Sequence, residues 1–216
     1  DYLKKNKPET VDPIIEIAIT PNRPDALGVR GIARDLAARG IGELINRDTE
    51  VEIDGKFSSK LKISIDQSTL NGCPLFVGRV IKGVKNGPSP NWLQTALRAI
   101  GLRPISLLVD ITNYYTYDRN RPLHVFDMDK VSGNLRIHQA KGGETITALD
   151  DKEYVMQKDM MVISDDNGIE SIAGIMGGLN TGCDENTVNV FVESAYWDPT
   201  KIAITGRKLK INSDAR

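Results

Sequence analysis

From Asn134 to Tyr196 the sequence is a succession of short β-type runs: NLRIHQA, ETITALDDKEYVM, MMVISDDNGIESIAGI and VNVFVESAY. Val, Ile, Thr, Tyr and Phe crowd these runs, and Gly, Asp and Asn punctuate them. DDNG at Asp165–Gly168 has the chemistry of a hairpin turn. Whatever this chain folds into, its core is β-rich.

The rest of the chain adds helices. After Asp25, the apolar residues Val29, Ile32, Ala33, Leu36 and Ala37 recur at helical spacing. With Asp25 as N-cap and Gly40 as stop, this predicts a helix over 26–39. In NGPSPNWLQTALRAIG, Leu93, Ala96, Leu97 and Ile100 form one face, Ser89 caps, Pro90 takes the first helical position and Gly101 ends the helix. DITNYYTYD (Asp110–Asp118) divides the signals. Its β-branched and aromatic residues favour strand, whereas Asp110 can cap a short helix, which is the preferred reading. Asp198-Pro199 opens an amphipathic helix, PTKIAITGRKLK. Further strands are expected at IIEIAI (Ile14–Ile19), in the alternating VEID and KLKISID (Lys60–Asp66), and at PLFVGRVIKGVK (Pro74–Lys85). Residues 1–10 are polar and Lys-rich and read as a linker. The polar stretch INRDTE marks a boundary. It separates the end of a small helical domain (1–45) from a larger β-rich domain (46–216). The opening Asp1 and the close at INSDAR read as a piece of a longer chain.

A length of 216 residues suits one medium domain or two small ones and buries roughly 70% of the unfolded surface. With 40% hydrophobic and 26% charged residues, disordered and low-complexity classes are excluded. Lys and Arg number 28 against 29 Asp and Glu. That balance argues against a protein that coats nucleic acid wholesale, while leaving room for a local basic patch. No apolar run approaches the ~18 residues of a membrane span, and no signal-peptide pattern opens the chain. Cys73 and Cys183 stand in no CxxC and beside no His, so they read as reduced thiols in a cytosolic protein. Two Cys and two His at these spacings make no zinc site, and no metal ligand set is expected.

The chain has no GxSxG elbow, no P-loop and no HExxH. The paired Gly177 and Gly178 do not form GxGxxG; they suit a tight turn or a close backbone approach. Glu193 stands out because VFVESAYW is otherwise apolar, and alternation puts Glu193 on one face with Phe191 and Ala195. A carboxylate there must be paired or hydrogen-bonded. Either it reaches solvent or a Lys at a strand end, or it is a recognition acceptor in an apolar pocket. His124, after Pro122, suits a structural role, and His138 is expected at the surface. Lys201, Arg207, Lys208 and Lys210 form a basic run, either a solvated face or a phosphate contact. Tyr114, Tyr115 and Tyr117 with Arg119 and Arg121 can mix stacking and charge. On the residues alone the reading stops at a cytosolic α+β domain with a polar-lined pocket.

Six stretches in one order carry a more specific resemblance. They are ITPNRPDALGVRGIARDLAA, LLVDITNYY, RPLHVFDMDKVSG, AGIMGG, VESAYWDP and INSDAR. Together they resemble the β subunit of bacterial phenylalanyl-tRNA synthetase, over most of the chain. The resemblance implies an α+β fold with a largely antiparallel, sandwich-like β core flanked by helices. It implies a cytoplasmic α2β2 ligase that charges phenylalanine tRNA using ATP and magnesium, with the synthetic site in the α subunit and no cofactor in this piece. The present stretch would carry proofreading: hydrolysis of tyrosine mischarged onto phenylalanine tRNA, with tyrosine as product. The other reading is a non-catalytic tRNA-binding or structural module with a vestigial pocket. Neither reading involves a membrane or DNA.

Residue by residue, the resemblance makes Glu193 the acceptor for the tyrosine hydroxyl. His124 matches a pocket histidine near the ester, and Asn113 a neighbouring polar residue; both would position rather than attack. Gly174 leaves room for the aromatic ring, and Ser213 and Ala215 form the far wall. Ser213 stands where threonine is common, Asn120 where glycine is, and Arg121 where an uncharged residue is. Asn tolerates left-handed backbone, so the turn at Asn120 is expected to survive.

Overall fold

The structure is a computed structural model that describes residues 14–20, 22–45 and 53–213. The chain divides into two compact units, one of Asp1–Leu44 with Pro88–Asn120, the other of Ile45–Gly87 with Arg121–Arg216. The sequence reading puts the boundary at 45/46 and leaves 88–120 with the β-rich part. The structure groups that segment with the N-terminal helix instead, because a helix within it packs on that helix.

The helical unit holds α1 (Val29–Ala38), α2 (Asn91–Ala99) and α3 (Leu107–Arg119). Both α1 and α2 pack on α3. Of the expected face of α2, Leu93 and Leu97 are buried and Ala96 is half-buried, but Ile100, at the C-cap, is exposed. The split signals of DITNYYTYD resolve as helix, but Asp110 is not its cap: Ser106 holds that position and Asp110 lies in the first turn. Asp110 is 0% exposed and accepts from Ser89 Oγ at 2.5 Å and from Ile105 N at 2.8 Å. Ser89 therefore serves Asp110 rather than capping α2, whose N-cap is Pro90. Asp25 does not cap α1 either. It lies in a 3-10 turn, Pro24–Ala26, and pairs with Arg23 and Arg34, while Gly28 is the N-cap. Asn120 ends α3 in the left-handed region at φ 54°, as expected of Asn there, and its side-chain amide donates to Pro24 O.

Ile14–Ile19 forms no strand, and Ile14, Ile15 and Ile17 are exposed. A strand needs a neighbour for its N–H and C=O groups. Among the described residues no strand pairs with this one. Of VEID, the first two residues lie outside the described ones, as do residues 1–10.

Among the described residues the second unit holds ten strands: β1 (Ile63–Ile65), β2 (Leu75–Lys82), β3 (His124–Asp127), β4 (Leu135–Gln139), β5 (Thr145–Thr147), β6 (Glu153–Val155), β7 (Met161–Ser164), β8 (Ile169–Ile172), β9 (Met176–Gly177) and β10 (Asn189–Tyr196). A five-stranded sheet runs β1-β4-β7-β8-β9, a three-stranded sheet β2-β10-β3, and β5-β6 is a hairpin. All these pairings are antiparallel except β1 with β4. Asp165 Oδ1 accepts from Asn167 N and Gly168 N and closes the β7–β8 turn. One apolar core joins the larger sheets, with Leu135, Ile137, Ile163 and Ile172 from one and Phe126 and Phe191 from the other. Helix α4 (Pro199–Leu209) follows β10 and is capped by Asp198, whose Oδ1 accepts from Lys201 N at 2.8 Å. The α+β, largely antiparallel fold expected from the resemblance is the one observed.

Candidate functional site

The three-stranded sheet sets the site by register. Glu193 on β10 lies opposite Gly78 on β2 and opposite His124 on β3. Phe191, two residues earlier and so on the same face, lies opposite Val80 and Phe126. Cross-strand partners share a face, so Glu193, His124, Phe191 and Phe126 are neighbours on the side that meets the core.

Glu193 is 6% exposed, and its Oε2 has no hydrogen-bond partner. Burial pushes its carboxyl up to about 8. The solvent- or Lys-paired reading of this residue is thereby set aside. His124 is half-buried as a residue, but its Nε2 is sealed from solvent and also lacks a partner. Burial pushes its imidazole down to about 4. At neutral pH the pair is thus an uncharged imidazole and a largely protonated carboxyl. Cys73, fully buried, is pushed up to about 11, first by burial and then by the nearby Glu193 charge.

Glycines make the room. A side chain at Gly177 would overlap the His124 ring, so the close approach that its Gly pair suggested is made by this histidine. At Gly174, φ is +68°, and a Cβ would stand 2.7 Å from Trp197 Cδ1 and 3.0 Å from Ile202 Cδ1. The space over Gly174 is occupied by the protein's own Trp197 and Ile202, which differs from the open seat the resemblance implied. Ser213 Oγ donates to Ile175 O at 2.9 Å, which ties the last described residues to the AGIMGG segment. Ala215 lies outside the described residues. Asn113 is half-buried on α3, in the helical unit rather than the unit that holds the β-sheet residues.

Some of the remaining candidates have structural partners and others are exposed. His138 is half-buried on β4 with Nε2 2.8 Å from Ser164 Oγ, not free at the surface. Tyr114 meets Trp92 edge-on at 5.5 Å, and Arg119 pairs with Asp118. At the end of α4, Arg207 and Lys208 are exposed and Lys210 lies beyond them, exposed as well. Sequence reading missed Glu170 on β8, which is 2% exposed with Oε2 unpartnered, and whose carboxyl burial pushes up. An acidic residue inside the apolar run GIESIAGI was the available signal. Among the described residues no three His, Cys, Asp or Glu side chains gather as a metal site, and no helix is long and apolar enough to cross a membrane.

The β unit, with its buried acid on the central strand of the three-stranded sheet, is placed in a family by comparison. The chain belongs to the B3/4 domain family, whose model matches residues 72–216. Along its whole length it is similar to one segment of larger proteins. It is 70% identical over 216 residues to the phenylalanine–tRNA ligase β subunit of Ruegeria pomeroyi, covering 100% of this chain and 27% of that protein. It is 62% identical over 206 residues to the same subunit of Cereibacter sphaeroides, covering 95% of this chain and 26% of that protein. The chain thus spans about a quarter of the length of these relatives. A crystal structure of an N-terminal fragment of the phenylalanyl-tRNA synthetase β subunit from Pyrococcus horikoshii shares the fold. Its TM-score is 0.52 at 17% identity, over 86% of this chain and 59% of that one.

Proposed function

We propose that this chain carries the editing site of a phenylalanine–tRNA ligase and hydrolyses tyrosine mischarged onto phenylalanine tRNA. The observation that carries this reading is the buried Glu193 carboxyl with an unpartnered Oε2, paired in register with His124. A tyrosine hydroxyl gives that oxygen a partner. Phenylalanine leaves it bare, at a cost of about 1–3 kcal/mol. A synthetic pocket rejects an added hydroxyl poorly, by about 100-fold in comparable cases, so a second site with the opposite preference is chemically useful.

Hydrolysis needs no covalent enzyme intermediate. Water adds to the ester carbonyl, the bond from the acyl carbon to the ribose oxygen breaks, and the proton passes to that oxygen. The neutral His124 offers Nε2 to orient the water or the ester. Gly177 holds the ring in place; Gly174 and Ser213 shape the adjoining wall. Asn113 and Ala215 join this assignment through the resemblance alone. In the intact enzyme this piece would act beside the α subunit of an α2β2 assembly and on phenylalanine tRNA. ATP and magnesium would serve aminoacylation in the α subunit, and no step here runs through them.

Titration of the chain with L-tyrosine and L-phenylalanine, followed by NMR, tests the reading. Preferential tyrosine binding, lost in Glu193→Ala, is expected. Equal or absent binding, together with tight tRNA binding at physiological salt, would favour a non-catalytic RNA-binding module using the basic residues Arg207, Lys208 and Lys210.

A further inference from the structure

A cross-strand neighbour normally stands about 4.5–5.5 Å from its partner's Cβ. Glu193 has such a neighbour position on β2, and it is filled by glycine, Gly78. The vacated place is taken by another ring. A Cβ on Gly78 would overlap the edge of Phe191, with Cζ and Cε2 the nearest atoms. Phe191 thus leans along its own face to lie over Gly78, the residue opposite Glu193 on β2. It stacks on Phe76 at 6.3 Å with planes 11° apart, and tilts against Phe126 at 6.1 Å. Phe126 meets His124 edge-on at 4.4 Å, and Phe76 meets Trp197 edge-on at 6.5 Å. One line of rings therefore runs from His124 to Trp197, and its central member is seated by Gly78.

We propose that Gly78 is a positioning residue for the Glu193 carboxyl: its bare α-carbon admits the Phe191 ring. That ring excludes water and every hydrogen-bond donor from the β2 side of the carboxyl, so that Oε2 is kept for a ligand. A side chain at 78 removes the seat. Phe191 must then swing away, the line of rings breaks at its centre, and water reaches the acid. This rests on the reading of Glu193 as a recognition group only for its ligand; the Gly78–Phe191–Glu193 relation stands on the fold itself.

The test follows the titration of the Glu193 side-chain carboxyl by NMR in the wild-type chain and in Gly78→Ala, Phe191→Leu and the double variant. L-tyrosine and L-phenylalanine affinities are measured on the same samples. Gly78→Ala and Phe191→Leu are each expected to lower the carboxyl midpoint by about one pH unit, a tenfold change in proton affinity. The double variant is expected to lie closer to wild type than Gly78→Ala, because a leucine in place of the Phe191 ring fits beside an alanine methyl. An unchanged midpoint in folded Gly78→Ala overturns the proposal. If Gly78→Ala does not fold, Phe191→Leu decides alone, and an unchanged midpoint there overturns it too. Midpoints that move as expected in a chain with no tyrosine preference sustain the positioning role and sink the editing reading instead.

Discussion

Asp110 and Glu193 are both carboxyls out of solvent, one in the helical unit and one in the β unit, and they are treated oppositely. Asp110 has a hydroxyl and a backbone N–H aimed at it, and so joins the start of α3 to the segment before α2. Glu193 has an oxygen with nothing aimed at it. A buried acceptor with donors stabilises a fold; one without them costs free energy and persists for another reason. The contrast separates a residue that builds from a residue that waits.

The most severe way to break the contrast is at the satisfied end. Asp110→Ala leaves Ser89 Oγ and Ile105 N without their acceptor and is expected to cost about 3 kcal/mol in urea unfolding. Glu193→Gln at pH 8 should cost nothing or stabilise. An equal loss in both variants would erase the distinction.

A second effect appears in pH dependence. Glu193 binds its proton more tightly folded than unfolded, from an ordinary 4.5 up to about 8, so it makes stability fall as pH rises through that range. His124 is held from 6.5 down to about 4, so it makes stability rise with pH between those values. The two slopes oppose one another from about pH 4.5 to 6.5. Above that the carboxyl of Glu193 dominates this pair. A loss of about 2 kcal/mol between about pH 6.5 and 8 is expected, read as denaturation midpoints. Glu193→Gln should largely flatten it, and a flat wild-type profile would refute the assignment.

Two smaller effects bear on the same contrast. Asp198→Ala removes a satisfied but less buried acceptor and should cost about 1 kcal/mol of α4 stability. Glu170→Gln replaces the second buried acid that has one unpartnered oxygen, and thermal unfolding should place it within about 0.5 kcal/mol of wild type at neutral pH. A large loss would show that Glu170 holds the β8–β9 region together.

Local chemistry was legible from residues in sequence. The stripe of α2, the cap of α4 and the β7–β8 turn each depend on groups a few positions apart. The oddness of Glu193 was legible too, since it needed only alternation. What could not be read was register: that His124 and Gly78 flank Glu193 depends on strands far away along the chain. Ser89 had the composition of a cap, but a buried aspartate 21 residues on competed for its hydroxyl and won. Ile14–Ile19 had strand composition and, among the described residues, no partner; pairing outweighs propensity.

The interrupted course of the β unit orders events in time. β2 is made before the helical segment 88–120, yet its sheet partner among the described residues is β10, close to the other end of the sequence. On a ribosome the helices can close on one another while β2 still waits with its apolar side chains uncovered. Contacts of such long sequence separation form slowly. Glu193 and its cross-strand neighbours are therefore among the last parts to be assembled, because β10 must be made before β2 and β3 can pair with it.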